Sequence, residues 1–391
     1  MNRTAFMQEV LQMRFKEVYG GWQSGRLTQG EAARVLGVSE RTFRRQLARY
    51  EEGGLEGLRD KRLGQVSHRR APVDELTRLL TTYRTMYAGW NVRHFYWHYQ
   101  EKYRGKRSYT WVKNSLQKAG DVAKSPATGK HRKRRPPSPL PGMMIHQDAS
   151  THEWVPGSTW DLVVTMDDAN NEHYSMFFAP QEGTASSFQG VREVIEKRGL
   201  FSSFYSDRGS HYWHTTTAGK VDKGNPTQFG TAMARLGIVM IPAYSPEARG
   251  RSERAFRTHQ DRLTKELALA KITEMEAANR YLAATYMPAF NREFIRPARE
   301  KGTAFVRYTG TDLADILCEQ YERVVGNDNC VRFERLVLQI PEVKHRLHFV
   351  KATVKVCRYT DGRVALFHGP RKLAVYDSTG KEVLQKAKKA A

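Results

Sequence analysis

The fold of this chain is constrained most by a block of apolar runs that begins near residue 143 and alternates with helical segments. Residues 143–149 (MMIHQDA), 160–167 (WDLVVTMD) and 173–179 (HYSMFFA) predict three strands, which are close enough in sequence to form a meander. Beyond them the pattern predicts helix, strand, helix, strand and helix at about 185–197, 201–206, 229–236, 238–241 and 248–270. Three strands followed by alternating helices and strands indicate an α/β domain.

Three carboxylates of this block lie within or directly after its predicted elements. Asp148 lies in the middle of the first apolar strand, Asp207 directly follows a later strand, and Glu253 falls on the long helix after a turn. A carboxylate in such a strand is costly to bury unless it is paired or binds a cation. Magnesium prefers hard oxygen ligands, so the three together are a plausible ligand set. Two such ions about 4 Å apart assist in-line displacement at phosphorus.

Upstream of this block, residues 28–50 show the pattern of a helix-turn-helix. Thr28 and Glu31 have capping-box spacing, Gly37 marks the turn, and Ser39 is placed to cap the second helix. The apolar residues expected in the core of this unit are Ala32, Leu36, Val38, Phe43 and Leu47. Polar and basic residues then occupy the early outward positions of a recognition helix, and the candidate DNA contacts among them are Arg41, Thr42, Arg44 and Arg45.

Further basic segments are weaker candidates for DNA contact. Between about residues 72 and 120 we expect a second helical unit, whose many aromatics are best explained as its core and whose last helix carries Lys113. Residues 121–141 are rich in proline and basic side chains and therefore predict a linker that follows a phosphate backbone. Its candidate contacts are Arg132, Lys133, Arg134 and Arg135. On the long helix of the α/β block, Arg254, Arg257 and Lys265 are placed to hold phosphates near the carboxylates, although an exposed helix face explains them nearly as well.

The composition favours a polyanionic partner. The net charge is +23, and residues 1–141 alone hold 29 Lys and Arg against 12 Asp and Glu, which places most of the excess in the first third of the chain. No stretch approaches the roughly 20 apolar residues of a membrane span, so no membrane association is expected. The N-terminus lacks a secretion signal, which favours a cytoplasmic, nucleoid-associated protein. Cys318, Cys330 and Cys357 lack metal or disulfide spacing and are interpreted as core thiols.

Three segments resemble the DDE transposases of bacterial insertion sequences, whose catalytic core is shared with retroviral integrases. They are IHQDAST around Asp148, FYSDRGSHY around Asp207 and IPAYSPEARGRSERAFRTHQDRL around Glu253. Within that family the chain most resembles the ISNCY-type elements. It implies a ribonuclease-H-like core in which Asp148, Asp207 and Glu253 are catalytic and bind two Mg²⁺ ions, with Mn²⁺ as a substitute. The helix-turn-helix before the core and a small β-barrel after it extend the resemblance over most of the chain.

Alternatives to each of these assignments remain open. Glu253 is preferred over Glu247 because Pro246, Gly250 and Glu253 match the family's spacing from a Tyr-Ser-Pro turn. Asp167 and Asp168, which end the second strand, compete with Asp148 for the first position. The 45 residues between Asp207 and Glu253 exceed the family's core spacing, and the excess is assigned to a surface insertion, HYWHTTTAGKVDKGNPTQ. His211 and His214 have HxxH spacing but no further ligand pair, so a metal site there is not favoured.

The resemblance implies an enzyme that binds the terminal inverted repeats of a mobile element, cleaves DNA to free a 3′-hydroxyl and transfers that end to target DNA. Two ends must meet one target, so a homodimer or higher oligomer on double-stranded DNA is expected. The rival interpretations are a non-catalytic helix-turn-helix regulator with a degenerate core and a ribonuclease-H-type nuclease that cuts without joining. The expected architecture is multidomain α+β: helix-turn-helix domain 1–66, second helical DNA-binding domain 67–120, linker 121–141, catalytic core 142–290, helical connector 291–331, and small β-barrel with basic tail 332–391.

Overall fold

The computed structural model describes residues 3–60, 70–124, 136–216, 220–244, 250–310, 312–343 and 346–383. The chain divides into two units, Met1–Met86 and Tyr87–Ala391. Within the described ranges no helix has the length and apolar character needed to cross a membrane.

The first unit is helical. It consists of α1 (Arg3–Gln23), α2 (Gln29–Leu36), α3 (Glu40–Gly57, kinked at Gly54) and α4 (Val73–Met86). Phe15 and Val18 of α1 pack on the helix-turn-helix residues Ala32 and Phe43, with Leu36 and Val38 partly buried at the edge of this core. The predicted core of the helix-turn-helix is therefore correct, and α1 is the element that covers it.

The second unit begins with two short helices, α5 (Val92–Glu101) and α6 (Tyr109–Lys118). Trp90, Phe95 and Tyr99 are buried, which confirms that these aromatics are core residues. The elements of the α/β block follow: β1 (Met144–Val155), β2 (Ser158–Asp167), β3 (His173–Ala179), α7 (Thr184–Arg198), β4 (Ser203–Ser206), α8 (Gln228–Arg235), β5 (Val239–Pro242) and α9 (Ser252–Leu269). After α9 come α10 (Met275–Tyr281), a π-helical turn (Leu282–Tyr286) and α11 (Met287–Phe294).

The five strands form one mixed sheet in the order β3-β2-β1-β4-β5. The first three strands are an antiparallel meander, whereas β1 pairs with β4 and β4 with β5 in parallel. On one face, Phe188 of α7 and Phe229 of α8 pack against Ile145 and Phe204. On the other, Phe256 and Leu263 of α9 pack with α10 and α11 against a second set of strand residues. This order and layering match the ribonuclease-H-like α/β arrangement expected from the sequence.

The C-terminal region differs from its prediction. Strands β6 (Glu319–Val324), β9 (Thr353–Arg358), β10 (Val364–His368) and β11 (Arg371–Tyr376) form a sheet in the order β11-β10-β9-β6, and β7 (Cys330–Phe333) pairs with β8 (Leu336–Gln339). In the described part of the chain these are two separate sheets, not a closed barrel. β6 also lies inside the predicted helical connector 291–331. It is an edge strand without a buried alternation, so its sequence shows no strand periodicity.

Candidate active site and nucleic-acid interface

Asp148 and Asp207 lie just beyond the paired segment of two neighbouring parallel strands. The pairing of β1 with β4 sets Ile145 beside Phe204 and His146 beside Tyr205. Asp148 and Asp207 each lie two residues after this last pair, and β4 itself ends at Ser206. Asp148 is 8% exposed, and its Oδ1 accepts a hydrogen bond from the backbone N–H of Ala149. Two carboxylates that are 59 residues apart in sequence thus belong to, or directly follow, neighbouring strands of the sheet.

Glu253 lies in the first turn of α9, and its side chain is exposed. The same turn packs on β1, where Ser252, Ala255 and Phe256 line a small cleft together with Asp148. Two turns later, Gln260 Nε2 donates to Ser150 Oγ at 3.0 Å, which holds the helix along the strand. The first turn of α9 therefore lies beside the strand that carries Asp148.

The three carboxylates nevertheless do not form a closed ligand cluster. Among the described residues, the one group of three metal-binding side chains whose ligand atoms lie within 4.8 Å of one another is His94, His98 and Glu266. Like charges repel, so ionised carboxylates do not approach each other closely without a cation or a shared proton between them. Glu247, the alternative to Glu253, lies outside the described residues.

Asp168, a competitor for the first position, is committed to structural hydrogen bonds. It is fully buried, and its Oδ2 accepts from the backbone N–H and the hydroxyl of Ser138 at 2.7 and 2.9 Å. Its Oδ1 lies 3.0 Å from His146 Nε2 and 3.1 Å from Arg251 Nε. Burial raises the pKa of Asp168, but the hydrogen bonds from His146 and Ser138 and the charge of Arg251 outweigh burial and hold the pKa well below its usual value.

Asp167 has a similar structural role. Its carboxylate accepts from the backbone N–H groups of Gly142 and Ala169, each at 2.7 Å, and from the Tyr174 hydroxyl at 3.2 Å. Burial is the main influence on the pKa of Asp167 and raises it. Because its oxygens are directed to these donors in the interior, Asp167 is a less suitable ligand than Asp148.

The sequence pattern did not indicate the role of Tyr212, a buried tyrosine whose hydroxyl contacts the residue before Asp148. The Tyr212 hydroxyl donates to Gln147 Oε1 at 2.9 Å and accepts from Ser187 Oγ at 3.1 Å. Burial raises the pKa of Tyr212 well above its usual value, and the charges of Glu182, Asp148 and Asp207 add to this effect. Tyr212 is the second residue of the segment interpreted as a surface insertion, and that interpretation is wrong for Tyr212 and Trp213, which are buried. The adjacent aromatic pair Tyr212-Trp213, both buried, was the signal available in the sequence.

Several described residues later in the predicted insertion are exposed, as a surface segment requires. His214 is exposed, and Thr215 forms an isolated bridge with Val221. His211 lies 3.5 Å from Glu182 Oε1. Within the described ranges, neither His211 nor His214 belongs to a group of three metal-binding side chains.

The basic side chains of α9 differ in their availability. Arg257 is exposed, and Arg254 is exposed with its Nε donating to the backbone oxygen of Gly250 at 2.7 Å. Lys265 is half-buried, and its Nζ lies 2.6 Å from Asp261 Oδ1. Its charge is already paired, so Lys265 is the weakest of the three as a phosphate ligand.

The helix-turn-helix has the local structure that the sequence predicts. Thr28 and Glu31 form a reciprocal capping box, Gly37 adopts a φ of +67° in the turn, and the Ser39 hydroxyl caps α3 by accepting from the Thr42 N–H. Thr42 Oγ1 also lies 2.9 Å from Ser39 Oγ, so Thr42 takes part in the cap. The arginines of this helix are exposed, and those in its first two turns are Arg41, Arg44 and Arg45.

The structure says little about the remaining candidates for DNA contact. Lys113 is half-buried on α6. Arg132, Lys133, Arg134 and Arg135 lie outside the described residues.

Comparison with known proteins covers most of the chain. A family model described as "Winged helix-turn helix" matches residues 18–75. "Putative transposase y4bF" of Sinorhizobium fredii is 31% identical over 348 residues, which cover 87% of this chain and 75% of that protein. "Transposase for insertion sequence IS1202" of Streptococcus pneumoniae is 27% identical over 380 residues, which cover 88% of this chain and 81% of that protein.

Among solved structures, the HTLV-2 integrase catalytic core domain in complex with magnesium is 14% identical, with 37% of this chain and 88% of that chain covered and a TM-score of 0.28. A chain of the simian T-cell lymphotropic virus intasome in complex with PP2A regulatory subunit B56 gamma is also 14% identical, with coverage of 72% and 92% and a TM-score of 0.33. TM-scores this low do not establish a shared fold, so the fold assignment depends on the sheet order of this chain. The family assignment depends on the Sinorhizobium relative, which matches at 31% identity over three quarters of its own length. The chain belongs to the transposases of insertion sequences.

Proposed function

We propose that this transposase binds the terminal inverted repeats of its element and catalyses metal-dependent cleavage and strand transfer with Asp148, Asp207 and Glu253. The observation that supports the proposal most is the parallel pairing of β1 with β4, whose last pair, His146 and Tyr205, lies two residues before Asp148 and Asp207. The first turn of α9, which carries Glu253, packs beside the same strand.

The residues present fit Mg²⁺. All three are carboxylates, the hard oxygen donors that Mg²⁺ prefers, and a strand-borne carboxylate only 8% exposed is stabilised by a cation. Two bound Mg²⁺ ions, or Mn²⁺ in their place, would supply activation of water and of the 3′-hydroxyl and stabilisation of the leaving oxygen. Asp148 on β1 and Asp207 after β4 would hold these ions from the sheet, and Glu253 would hold them from α9.

DNA binding is assigned to the helix-turn-helix. The exposed guanidinium groups of Arg41, Arg44 and Arg45 project from the first two turns of α3, the part of a recognition helix that meets base edges and phosphates. Arg254 and Arg257 are placed to hold the phosphates flanking the reacting bond, since they lie on the exposed face of α9 near Glu253. Two ends joined to one target would require at least two copies of the chain.

The test uses labelled element ends, taken from the DNA that flanks the gene, in Mg²⁺. Asp207→Ala and Glu253→Ala are expected to bind these ends as the unmodified protein does and to cleave none of them. Glu276→Ala is the matched control, because Glu276 is also an exposed glutamate in the first turn of a helix. Ca²⁺ is larger and less exacting in geometry, so it should support complex assembly without cleavage.

Each contrary outcome identifies a different error. Cleavage that survives in Glu253→Ala but is lost in Glu247→Ala would assign the third position to Glu247. Cleavage without joined products would indicate a nuclease, and binding without any cleavage by the unmodified protein would indicate a regulator. Undiminished cleavage in EDTA would contradict metal catalysis.

A further inference from the structure

A second group of metal-binding side chains lies away from the proposed active site. His94 and His98 are four residues apart on one face of α5, and both direct Nε2 to the same oxygen of Glu266 on α9. The distances to Glu266 Oε1 are 2.7 Å from His94 and 2.6 Å from His98. All three side chains are buried, with relative exposures of 2%, 1% and 6%.

Among the described residues, the ion pairs of Glu266 are with the imidazoles of His94 and His98, and no Arg or Lys pairs with it. Its other oxygen accepts from the Tyr281 hydroxyl at 2.9 Å. The nearby Arg262 is paired with Glu293, at 2.6 and 3.1 Å. The Nδ1 atoms of His94 and His98 are buried without a hydrogen-bond partner among the described residues. A divalent cation bound by the three side chains would offset the buried charge of Glu266.

We propose that His94, His98 and Glu266 bind a divalent transition-metal ion of the zinc class. Two imidazole nitrogens and one carboxylate oxygen are an established ligand set for zinc, and histidines one helical turn apart provide two ligands from one face. Imidazole ligands suit zinc rather than magnesium, which distinguishes this site from the carboxylate trio. At metal–ligand distances of about 2.0–2.1 Å, tetrahedral ligand atoms are roughly 3.3 Å apart, so the group needs to open by about 0.6 Å.

There is space beside the group for a fourth ligand. A cavity of about 30 Å³ is lined by His94 and Glu266 together with Tyr281 and Arg262. This volume accommodates one water molecule, which has polar partners there. The π-helical turn Leu282–Tyr286 forms part of the cavity wall, and such turns occur frequently at functional sites.

Metal binding through Nε2 moves each ring proton to Nδ1. The two buried N–H groups that result lack acceptors among the described residues, but this cost is small beside the free energy of a structural zinc site. The ion would join α5 to α9, the helix whose first turn carries Glu253. Its role is therefore structural, and it does not depend on the assignment of the catalytic carboxylates.

The experiment measures bound metal in the full-length chain. The Asp207→Asn variant serves as the parent, so that the carboxylate trio does not contribute a second zinc site. The protein is loaded with Zn²⁺, dialysed against metal-free buffer containing Mg²⁺, and analysed by mass spectrometry of the elements. We expect one zinc per chain, retention in Tyr281→Phe, which keeps all three ligands, and loss in His98→Gln. His214→Gln, which removes an exposed histidine, should also retain the metal.

A second measurement keeps the proposal testable if His98→Gln does not fold. The parent protein is loaded with Co²⁺, and a tetrahedral, imidazole-ligated site should give visible absorption bands that Zn²⁺ abolishes at one equivalent. Zn²⁺ should also raise the unfolding temperature of the metal-free parent. The proposal is overturned if the parent retains no zinc and shows no such bands, or if a folded His98→Gln variant keeps the full stoichiometry.

Discussion

The side chain of Arg251 joins the start of α9 to Asp168, and the substitution Arg251→Ala removes this contact. Arg251 Nε lies 3.1 Å from Asp168 Oδ1, and Nη1 donates to the Asp168 backbone oxygen at 2.7 Å. Arg251 immediately precedes α9, two residues before Glu253. Arg251→Ala therefore removes the anchor of the first turn and leaves a fully buried carboxylate with fewer partners.

The expected loss of stability depends on the partners that Asp168 keeps. Breaking a buried ion pair by removing one partner typically costs about 3–5 kcal/mol. Asp168 keeps its hydrogen bonds from Ser138 and its contact with His146, and the Arg251 side chain is 19% exposed. We therefore expect a loss at or just below this range, about 2–3 kcal/mol in the free energy of unfolding. Cleavage should fall further than this loss of folded protein explains, because the position of Glu253 is no longer fixed.

The assay has two parts. Urea unfolding of the purified protein measures stability, and cleavage is then measured without urea at a temperature at which every variant is folded. Arg280→Ala is the matched control, since Arg280 is an exposed arginine of α10 and its removal should cost less than about 0.5 kcal/mol. Arg251→Lys should recover only part of the stability, because an ammonium group does not reproduce the two contacts made by the guanidinium. The reasoning fails if Arg251→Ala destabilises the chain no more than Arg280→Ala does.

Three further predictions concern other parts of the chain. DNA affinity of alanine variants of Arg41, Arg44 and Arg45 is measured in a salt series. Loss of a phosphate-contacting arginine should lower the salt slope by about one unit, whereas loss of a base-reading arginine should cost about 1–3 kcal/mol of binding free energy and relax the preference at one base position. Unchanged affinity and slope in all three variants would contradict DNA reading by α3. Burial lowers the pKa of His173 to about 4, so its contribution to stability is present above the unfolded pKa of about 6.5 and is lost as pH falls toward 4. Unfolding measured from pH 7 to 4 should accordingly show a loss that is smaller in a folded His173→Gln variant, and equal pH slopes would refute this. Tyr212→Phe leaves Gln147 and Ser187 without their shared partner and should cost about 1–3 kcal/mol in chemical unfolding, whereas Tyr244→Phe, at an exposed tyrosine, should cost almost nothing.

The helix-turn-helix shows how far local sequence determines structure. The Thr28–Glu31 capping box, the left-handed Gly37 and the Ser39 cap all form as the spacing predicts. Each depends on atoms within a few residues of one another, so the sequence specifies them without reference to the rest of the chain. The three strands of the meander were predictable for the same reason, because their apolar runs are short and adjacent in sequence.

The competition between Asp148 and Asp168 shows the opposite case. Both are aspartates in or after an apolar strand, and local pattern gives no physical basis to separate them. The distinction comes from Ser138 and Arg251, which lie 30 residues before and 83 residues after Asp168 and give its carboxylate structural partners. Tyr212 was missed similarly, since its burial depends on Gln147 and Ser187 from other elements.

The sequence by itself determined the order of the elements, the caps of the helix-turn-helix and the placement of Asp148, Asp207 and Glu253 on a strand, after a strand and on a helix. Only the tertiary structure decided that β1 and β4 are parallel neighbours, that β6 completes a C-terminal sheet, and that two histidines of α5 face Glu266 of α9. Periodicity and capping are fixed within one turn or one strand, whereas strand pairing and helix contacts between distant residues depend on how the whole chain excludes water from its apolar surfaces.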